Sequence, residues 1–276
     1  RVSDTPPSAV LIDTHCHLDA AEFDGDRAAV LAAARAAGVG GFLVPAVGAA
    51  DFEAVAALSA AHPDCRHAFG IHPMYVRQAH ESDLELLHAR LAEGSAVAVG
   101  EIGLDGHVAD GDLPLQTRYF EAQLKLAREF GLPVVLHVRR AQDQILKYLR
   151  RIGVPGGIAH AFNGSRQQAE AFIGLGFRLG FGGAMTYIGS RRIRELAASL
   201  PLSAIVLETD APDIPPAWGA GLRNDPANLG RFAGVLAELR GMRVEEVVAA
   251  TGANAQAAIP GLASLGVSRA LGRAAG

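Results

Sequence analysis

Two apolar runs, AVAVGE at residues 96–101 and PVVLH at residues 133–137, decide the fold that this sequence predicts. Both are nearly continuous, which is typical of strands in a parallel sheet covered by helices on its faces. Each run is followed by a longer segment rich in Ala, Leu, Glu and Arg at helical spacing, and this alternation repeats eight times along the chain. Eight strand–helix units within about 250 residues predict an α/β fold, the closed (β/α)₈ TIM barrel.

The predicted elements cover most of the chain. The predicted strands are residues 10–13, 41–47, 66–70, 96–101, 133–138, 157–161, 177–182 and 204–208. The predicted helices are residues 26–37, 51–62, 84–93, 116–130, 142–152, 167–175, 191–200 and 226–240, and an extra C-terminal helix at 244–258 is expected to pack on the outside. Glycines that suit helix ends follow four of them, at Gly38, Gly131, Gly153 and Gly176. An open doubly wound sheet is the alternative, but no GxGxxG follows the first strand.

Composition indicates one globular domain, since 50% of the 276 residues are hydrophobic, 20% are charged and no linker-like run divides the chain. We expect a flexible lead-in at residues 1–9, the barrel at 10–262 and a flexible tail at 263–276. A net charge of −4 offers nucleic acid no long-range attraction, so any phosphate binding must come from a local cluster.

The cellular setting is predicted from two features. Cys16 and Cys65 form no CxxC pattern, so we expect neither a disulfide framework nor a thiolate zinc site, and a reducing cytoplasm suits both thiols. No apolar stretch is long enough for a membrane helix, and the first residues lack the apolar core of a signal peptide. We therefore expect a cytoplasmic protein without membrane association, and no obligatory protein partner is evident.

Six side chains of metal-ligating type follow predicted strands. They are His15 and His17 after strand one, Glu101 after strand four, His137 after strand five, His160 after strand six, and Asp210 after strand eight. The carboxyl ends of barrel strands carry the active site in this fold, so these side chains are expected to converge in one pocket. One histidine by itself is more often a hydrogen-bonded core or surface residue, and the prediction depends on the full set.

The ligand types favour two divalent ions. His15 and His17 are two residues apart, which places both rings on one side of an extended segment. Six nitrogen and oxygen ligands exceed what one tetrahedral zinc ion takes, and a glutamate can bridge two ions, which indicates Glu101 as the bridge. Zinc, manganese and magnesium all remain open as the metal.

Seven ordered motifs between residues 12 and 256 resemble the TatD-type metal-dependent deoxyribonuclease family of the metallo-dependent hydrolases. They are DTHCHLD (13–19), GIHP (70–73), GEIGLD (100–105), LHVR (136–139), HAFNGS (160–165), LETDAP (207–212) and RNDP (223–226). The resemblance implies a barrel phosphodiesterase, specifically a 3′–5′ DNA exonuclease. It also implies that His15 and His17 bind the first ion, that His137 and His160 bind the second, that Glu101 bridges, and that Asp210 is a ligand or the base.

The chain departs from the family pattern in its loops. Gly106 and His107 stand where an aromatic residue usually follows GEIGLD, so a substrate contact is expected to differ. Ala161 and Asn163 replace the usual Cys and Ser, and the terminal phenylalanine is replaced near Ile259. None of these departures removes a predicted ligand.

Three residues near these motifs have two readings each. His72 contacts substrate phosphate or a metal-bound water by resemblance, or else it caps a helix or forms a loop hydrogen bond. Arg139 shares the side of its strand with His137 and grips a phosphate, or else it forms an ion pair. Glu208 shares the side of its segment with Asp210 and orients a ligand histidine, in preference to a purely structural role.

The remaining candidates are weaker. Arg223 and Asn224 contact a nucleotide by resemblance, although loops of this kind usually lie in solvent. Cys16 alternates away from the neighbouring histidines, which predicts a packed thiol and not a ligand.

Three functions remain open from the sequence. The leading hypothesis is phosphodiester hydrolysis by a water activated by two metals, with Glu101 and Asp210 as the catalytic residues and DNA or a small phosphodiester as the substrate. A second is hydrolysis of an amide or ester such as a D-aminoacyl ester on transfer RNA, because such a site also polarises carbonyls. The third is a catalytically idle scaffold, which the loss of a ligand would favour; no ligand is lost here.

Overall fold

The structure is a computed structural model that describes residues 9–108 and 111–265 of the chain. Within these residues, eight parallel strands form one sheet in the order of the sequence, β1 to β8. Their bounds are β1 Leu11–Asp13, β2 Val39–Pro45, β3 Cys65–Phe69, β4 Ala98–Asp105, β5 Val134–Arg139, β6 Gly157–His160, β7 Phe177–Phe181 and β8 Ile205–Leu207. The predicted (β/α)₈ TIM barrel is confirmed.

Helices follow the strands around the outside of the sheet. Their bounds are α1 Arg27–Ala36, α2 Phe52–Ala61, α3 Glu81–Ala92, α4 Leu113–Phe130, α5 Gln142–Ile152, α6 Arg166–Gly174, α7 Arg191–Ser199, α8 Leu229–Arg240 and α9 Val244–Ala258. None of these described helices is both long enough and apolar enough to span a membrane. The four glycines expected at helix ends all have positive φ angles, from 64° to 94°. This is the conformation that glycine adopts without strain.

The first and last strands meet and bring the sheet close to a closed barrel. The backbone N–H of Thr14 donates to the Leu207 carbonyl at 3.2 Å, and that of Asp210 donates to the His15 carbonyl at 2.8 Å. The segments that follow β1 and β8 are thereby fixed side by side, and both carry predicted ligands.

Two helices begin three residues earlier than predicted. α3 begins at Glu81 and not at residue 84, because His80 and Asp83 form a capping box. α4 begins at Leu113 and not at residue 116, because Asp112 accepts a hydrogen bond from the backbone N–H of Leu115 and Pro114 occupies the first turn. These first turns are polar or contain proline, so the apolar periodicity used for the prediction starts only later.

A second apolar cluster fills the inside of the barrel at its amino end. Its strand members point inward, and they are Ile12, Leu43, Ala68, Ala98, Val135, Ile158 and Val206. Residues from α9 and the chain after it complete this cluster, including Ala255, Leu262 and Leu265, all buried. The last helix was expected to pack on the outside, and part of it instead contributes to this second cluster.

The first residues of the predicted C-terminal tail, 263–265, are among the described residues. Leu265 is 3% exposed and packs in the second apolar cluster, and the predicted boundaries stay a prediction. The rest of the predicted tail, residues 266–276, and nearly all of the predicted lead-in, residues 1–8, lie outside the described residues. Cys16 and Cys65 are both buried, unbridged thiols, in agreement with the packed role predicted for Cys16.

Candidate metal centre

The six side chains predicted as metal ligands meet in one pocket at the carboxyl end of the barrel. Ligand-type atoms within 4.8 Å of one another form three overlapping groups: His15–Glu101–His160, His15–His17–Asp210 and His72–Glu101–His137. Convergence of all six follows from the parallel strands, which present their carboxyl ends on one face.

Glu101 lies between two sets of histidines and faces each with a different oxygen. Its Oε2 lies 3.0 Å from His15 Nε2 and 3.4 Å from His17 Nε2. Its Oε1 lies 3.1 Å from His137 Nδ1 and 3.4 Å from His160 Nε2. This is the arrangement that a carboxylate bridging two cations requires.

Asp210 completes the set around His15 and His17. Its Oδ1 lies 3.5 Å from His15 Nε2 and 3.4 Å from His17 Nε2. Its backbone has a φ of 57°, which an aspartate tolerates better than most residues. The hydrogen bond to the His15 carbonyl described above holds this conformation, so Asp210 is fixed to the segment that carries two of its neighbours.

Glu101 reaches the pocket through an irregularity in β4. Three steps along β4, from Val99 to Ile102, match two steps along β5, from Val134 to Leu136. The extra residue reverses the alternation of side chains, so Glu101 points into the barrel although Ala98 does too. Glu101, His137 and His160 were expected to follow strands, but they lie within β4, β5 and β6.

His72 both caps a turn and faces the pocket. Its Nδ1 accepts a hydrogen bond of 3.0 Å from the backbone N–H of Met74. Burial lowers the pKa of His72, so the ring is neutral and its proton lies on Nε2. Nε2 is 3.3 Å from Glu101 Oε1 and 3.1 Å from His137 Nδ1. In this tautomer His72 donates a hydrogen bond into the pocket.

Asp105 orients His137, and the sequence analysis missed it. Its Oδ2 lies 2.8 Å from His137 Nε2, which leaves Nδ1 facing Glu101. Burial acts to raise the pKa of Asp105, but hydrogen bonds from His137 and from the backbone of His107 outweigh it and lower the pKa to about 2. A signal existed, because an acidic residue ends the otherwise apolar GEIGLD strand.

Glu208 contacts the ring of His160 at Nδ1, whereas the other ring nitrogen, Nε2, faces Glu101. The Oε1 of Glu208 accepts from His160 Nδ1 at 3.1 Å and from the backbone N–H of Ala161. A Cβ on Gly180 would lie 2.1 Å from Oε2, so only glycine on β7 leaves room for this carboxylate. The contact is the one expected of a residue that orients a ligand histidine, and the role itself stays a prediction.

Asp13 ties the first strand to the loop after the last one, and its role was also missed. Its Oδ1 accepts from the backbone N–H of Thr209 at 2.9 Å, and its Oδ2 accepts from the Thr209 hydroxyl at 2.6 Å. It also accepts from the backbone N–H of His15 at 3.3 Å. Complete burial raises the pKa of Asp13 to about 7. These bonds hold the two segments that supply His15 and Asp210.

The electrostatics of the pocket fit cations. Burial acts against charge on His17, but Asp210 and Glu101 raise its pKa well above the ordinary value. Burial also acts against charge on His160, but Glu208, Asp210 and Glu101 raise its pKa to about 10. At these two rings the carboxylates attract positive charge strongly enough to overcome desolvation, whereas at His15 burial dominates and lowers the pKa.

The donor atoms fit a metal site as well. His15 and His17 face one another with Nε2 atoms 3.2 Å apart, beside carboxylate oxygens of Glu101 and Asp210. Converging imidazole nitrogens and carboxylate oxygens are the donors that zinc and manganese accept. The residues present are therefore compatible with bound divalent ions.

Arg139 lies at the carboxyl end of β5, two residues beyond His137, and is exposed. The ion pairs formed among the described residues do not include Arg139. Arg139 thus forms no ion pair within the described part of the chain, but its charge helps to lower the pKa of Asp105, and the phosphate contact stays a prediction.

Arg223 and Asn224 have structural partners. Arg223 forms a two-point ion pair with Asp26 at 2.9 and 2.7 Å, and its guanidinium lies over the Phe23 ring. Asn224 is buried and donates to the carbonyls of Thr209 and Asp213, each at 2.8 Å. Both residues hold the loop that carries Asp210. The predicted nucleotide contacts would require these partners to be shared or replaced.

Gly106 has a local reason to replace an aromatic residue. Its backbone N–H donates to the Arg139 carbonyl at 2.7 Å, and a Cβ at this position would lie 2.6 Å from the Arg140 carbonyl oxygen. A side chain there would push the ends of β4 and β5 apart, which accounts for a glycine at this position.

Comparison with known proteins agrees with this site. The model of the family described as TatD related DNase matches residues 12–260. The metal-dependent hydrolase YjjV of Escherichia coli K12 is 42% identical over 242 residues, which covers 87% of this chain and 93% of that protein. The 3′-5′ ssDNA/RNA exonuclease TatD of Klebsiella pneumoniae is 32% identical over 254 residues and covers 88% and 95% of the two chains.

Solved structures agree as well. The crystal structure of YjjV from E. coli K12 superposes with a TM-score of 0.88 at 40% identity and covers 91% of this chain and 98% of that one. A TatD-family hydrolase from Entamoeba histolytica has a TM-score of 0.80 at 18% identity over 91% and 98% of the chains, which shows the shared fold alone. The chain therefore belongs to the TatD-related DNase family of metal-dependent hydrolases.

Proposed function

We propose that this protein hydrolyses phosphodiester bonds as a 3′–5′ exonuclease on single-stranded DNA or RNA. The observation that carries the proposal is the position of Glu101, with one oxygen toward His15 and His17 and the other toward His137 and His160. Two sets of ligands that share one carboxylate suit a pair of ions, which is a common device in nucleases and phosphatases.

The residues divide into two ion sites. His15, His17 and Asp210 would hold the first ion, His137 and His160 would hold the second, and Glu101 would bridge them. Bound divalent ions would supply Lewis-acid catalysis, which activates a water nucleophile and neutralises charge developing on the phosphoryl group. The sites are compatible with zinc, manganese or magnesium.

The surrounding side chains would bind and orient the substrate. Asp210 would place Oδ1 toward His15 and His17 and accept a proton from the attacking water at Oδ2. His72 would donate its Nε2–H toward the scissile phosphate or the water. Arg139, exposed at the end of β5, would bind a phosphate oxygen through its guanidinium.

The comparisons support the nucleic-acid substrate through one group of relatives. The Klebsiella pneumoniae relative and a Salmonella typhimurium relative, both 32% identical, are named 3′-5′ ssDNA/RNA exonucleases. The more similar YjjV carries only the broader name of a metal-dependent hydrolase. All three relatives support a metal-dependent hydrolase, and the two named exonucleases support the choice of a single strand and of cleavage from the 3′ end.

The test is a substrate panel with metal-reconstituted protein. The substrates are 5′-labelled single-stranded DNA and RNA, bis-nitrophenyl phosphate and a D-aminoacyl ester. We expect the labelled strands to shorten one nucleotide at a time from the 3′ end. Turnover of the ester alone would overturn the proposal in favour of carbonyl chemistry, and no turnover of any substrate would favour the idle scaffold.

Glu101→Gln tests the shared carboxylate. We expect it to bind fewer ions by elemental analysis and to lower hydrolysis by more than about 100-fold, because even residues that only support metal ligands cost 10- to 100-fold when replaced. The control is Glu129→Gln, at an exposed carboxylate on α4 that pairs with His88. Wild-type turnover by Glu101→Gln would contradict the bridging role.

A further inference from the structure

We propose that Arg139, Arg140, Arg191 and Arg192, with Tyr187 and Ile188 between them along the rim, form a groove that holds single-stranded nucleic acid outside the metal centre. This inference rests on the proposed function, and it assigns the residues that bind the polymer beyond the reacting phosphate. We call these six residues the arginine rim.

The first pair of arginines follows β5. Arg139 is the last residue of β5, two residues beyond His137, and Arg140 comes directly after it. Both side chains are exposed. Their position at the carboxyl end of the strand places them on the same face of the barrel as the metal centre.

The second pair begins α7, beside the pocket. The chain leaves β7 through a turn at Gly183–Thr186 and starts α7 at Arg191. Ile193, in the first turn of α7, lines the same small cavity as Glu208 and Asp210. The exposed arginines next to it, Arg191 and Arg192, follow β7 at the same end of the barrel, whereas Arg139 ends β5 on the other side of β6 and His160.

Most other arginines of the described residues have a carboxylate or carbonyl partner for the guanidinium, and these four arginines do not form such an ion pair. Arg223, Arg35 and Arg90 form ion pairs with carboxylates. Arg194, on the same helix as the second pair, donates to the Met185 carbonyl at 2.7 Å. Within residues 9–108 and 111–265, no such ion pair includes a member of the arginine rim. A chain with net charge −4 thus presents local positive charge at one side of its pocket.

An exposed apolar side chain lies in the loop that leads from β7 to the second pair. Ile188 is 85% exposed, the largest exposure among the large apolar side chains of the described residues. Tyr187 precedes it and donates its hydroxyl to the Pro215 carbonyl at 2.9 Å, which fixes the loop against the segment after β8. Cations beside fixed apolar surface suit a strand with unpaired bases, since phosphates bind the arginines and bases lie on the apolar side chains. An inorganic polyanion has no bases and would not contact the apolar side chains.

The test measures equilibrium binding of a strand that resists cleavage. A labelled phosphorothioate oligothymidylate of about 12 nucleotides, a length comparable to known single-strand sites, is titrated with metal-reconstituted protein at several salt concentrations. Arg191→Ala/Arg192→Ala is compared with Arg150→Ala/Arg151→Ala, an exposed pair at the carboxyl end of α5 and so at the opposite end of the barrel. Both variants remove the same charge, and thermal unfolding confirms that both are folded.

We expect the rim variant to bind roughly tenfold more weakly at low salt. Its slope of log affinity against log salt should fall by roughly 1.4, because each phosphate contact with a single strand contributes about 0.7. The control variant should keep the wild-type slope. Equal slopes for both variants, or no binding by the unaltered protein, would overturn the inference.

Ile188→Ser tests the apolar contact separately. We expect severalfold weaker binding of the oligothymidylate and unchanged binding of an abasic strand of the same charge. An equal effect on both strands, or polyphosphate competing as well as the oligothymidylate, would mean that the rim binds charge alone and would overturn the assignment to nucleic acid.

Cleavage of ordinary DNA by the same preparations separates this inference from the proposed function. If the unaltered protein cleaves DNA but the rim variant binds like the control, the assignment of the arginine rim is wrong and the proposed exonuclease activity is retained. If the dependence of affinity on salt falls in the rim variant while the unaltered protein binds DNA without cleaving it, the arginine rim is supported and the proposed exonuclease activity is wrong.

Discussion

At the scale of single residues, Asp105 decides which nitrogen of His137 is available to the pocket. The 2.8 Å contact between Asp105 Oδ2 and His137 Nε2 places the other ring nitrogen, Nδ1, beside Glu101. Carboxylates that hold a ligand histidine in this way fix its tautomer and raise its basicity. Asp105 thus sets the geometry of a proposed ligand through its contact with the far side of the ring.

We predict that Asp105→Asn weakens metal binding. The amide oxygen of Asn accepts a hydrogen bond from the Nε2–H of His137 more weakly than a carboxylate does. His137 therefore loses the preference for the tautomer that leaves Nδ1 free. Replacing such partners costs about 10- to 100-fold in metal affinity or activity. Competition with a chromogenic chelator measures the affinity, and Asp112→Asn, at the capping residue of α4, is the control. Unchanged affinity in Asp105→Asn would show that the orientation of His137 does not depend on this contact.

His67, a buried residue of β3, makes the free energy of unfolding depend on pH. It lies in β3 against Phe69, and burial lowers its pKa from 6.5 to about 4. Between these values the unfolded chain binds a proton that the folded protein excludes. The stability that His67 contributes is therefore complete above about pH 6.5 and is lost as the pH falls toward 4.

We predict that His67→Gln flattens the dependence of unfolding free energy on pH. A side chain that binds no proton removes a slope of up to about 1.4 kcal/mol per pH unit in this window. Urea unfolding between pH 7 and pH 4.5 measures the slope. His88→Gln, at a half-exposed ring on α3, serves as the control for the loss of an imidazole outside the core. Identical slopes in all three proteins would refute the role of His67.

At the scale of elements, the chain after α9 seals the amino end of the barrel. Leu262 and Leu265 are buried among the inward side chains of the strands. A Cβ on Gly41 of β2 would lie 2.5 Å from Leu265 Cδ1, so the leucine packs directly on the β2 backbone. The metal centre occupies the other end, and the two ends are therefore separate in their roles.

We predict that Leu262→Ala destabilises the fold by about 2–5 kcal/mol, the usual cost of emptying a buried leucine site. Leu86→Ala, at a 41% exposed position on α3, should change the free energy of unfolding by about 0.5 kcal/mol or less. Denaturant unfolding measures both. Similar losses in the two variants would contradict the sealing role of this segment.

At the scale of the whole molecule, metal binding and folding should be linked. The proposed ligands come from segments spread between residues 15 and 210, and they meet only in the folded barrel. An ion held by them binds the native state and not the unfolded chain, so it stabilises the protein by mass action.

We predict that zinc or manganese at about 100 times its dissociation constant stabilises the protein by about 2.7 kcal/mol. For a domain of this size that energy corresponds to a rise in Tm of roughly 5–10 °C. Differential scanning fluorimetry with metal and then with excess chelator measures the shift. His15→Ala should reduce it, whereas an equal shift in His15→Ala would indicate that the metal acts elsewhere on the chain.

The sequence by itself determined the architecture and the chemical character of the site. Buried parallel strands such as 133–137 need apolar residues on both faces, and this composition is visible without any knowledge of neighbours. The placement of His15, His160 and Asp210 at strand ends then predicts a shared pocket, because parallel strands end on one face.

Only the tertiary structure decided how these side chains face one another. Alternation along a regular strand would point Glu101 away from the interior, and the extra residue of β4 becomes visible only in its pairing with β5. The contacts of Asp105 with His137 and of Asn224 with the Thr209 carbonyl join residues on different segments, as does the packing of Leu265 on β2. Local pattern carries no information about such pairs, because hydrogen bonding and close packing depend on distances that exist only after the chain has closed into the barrel.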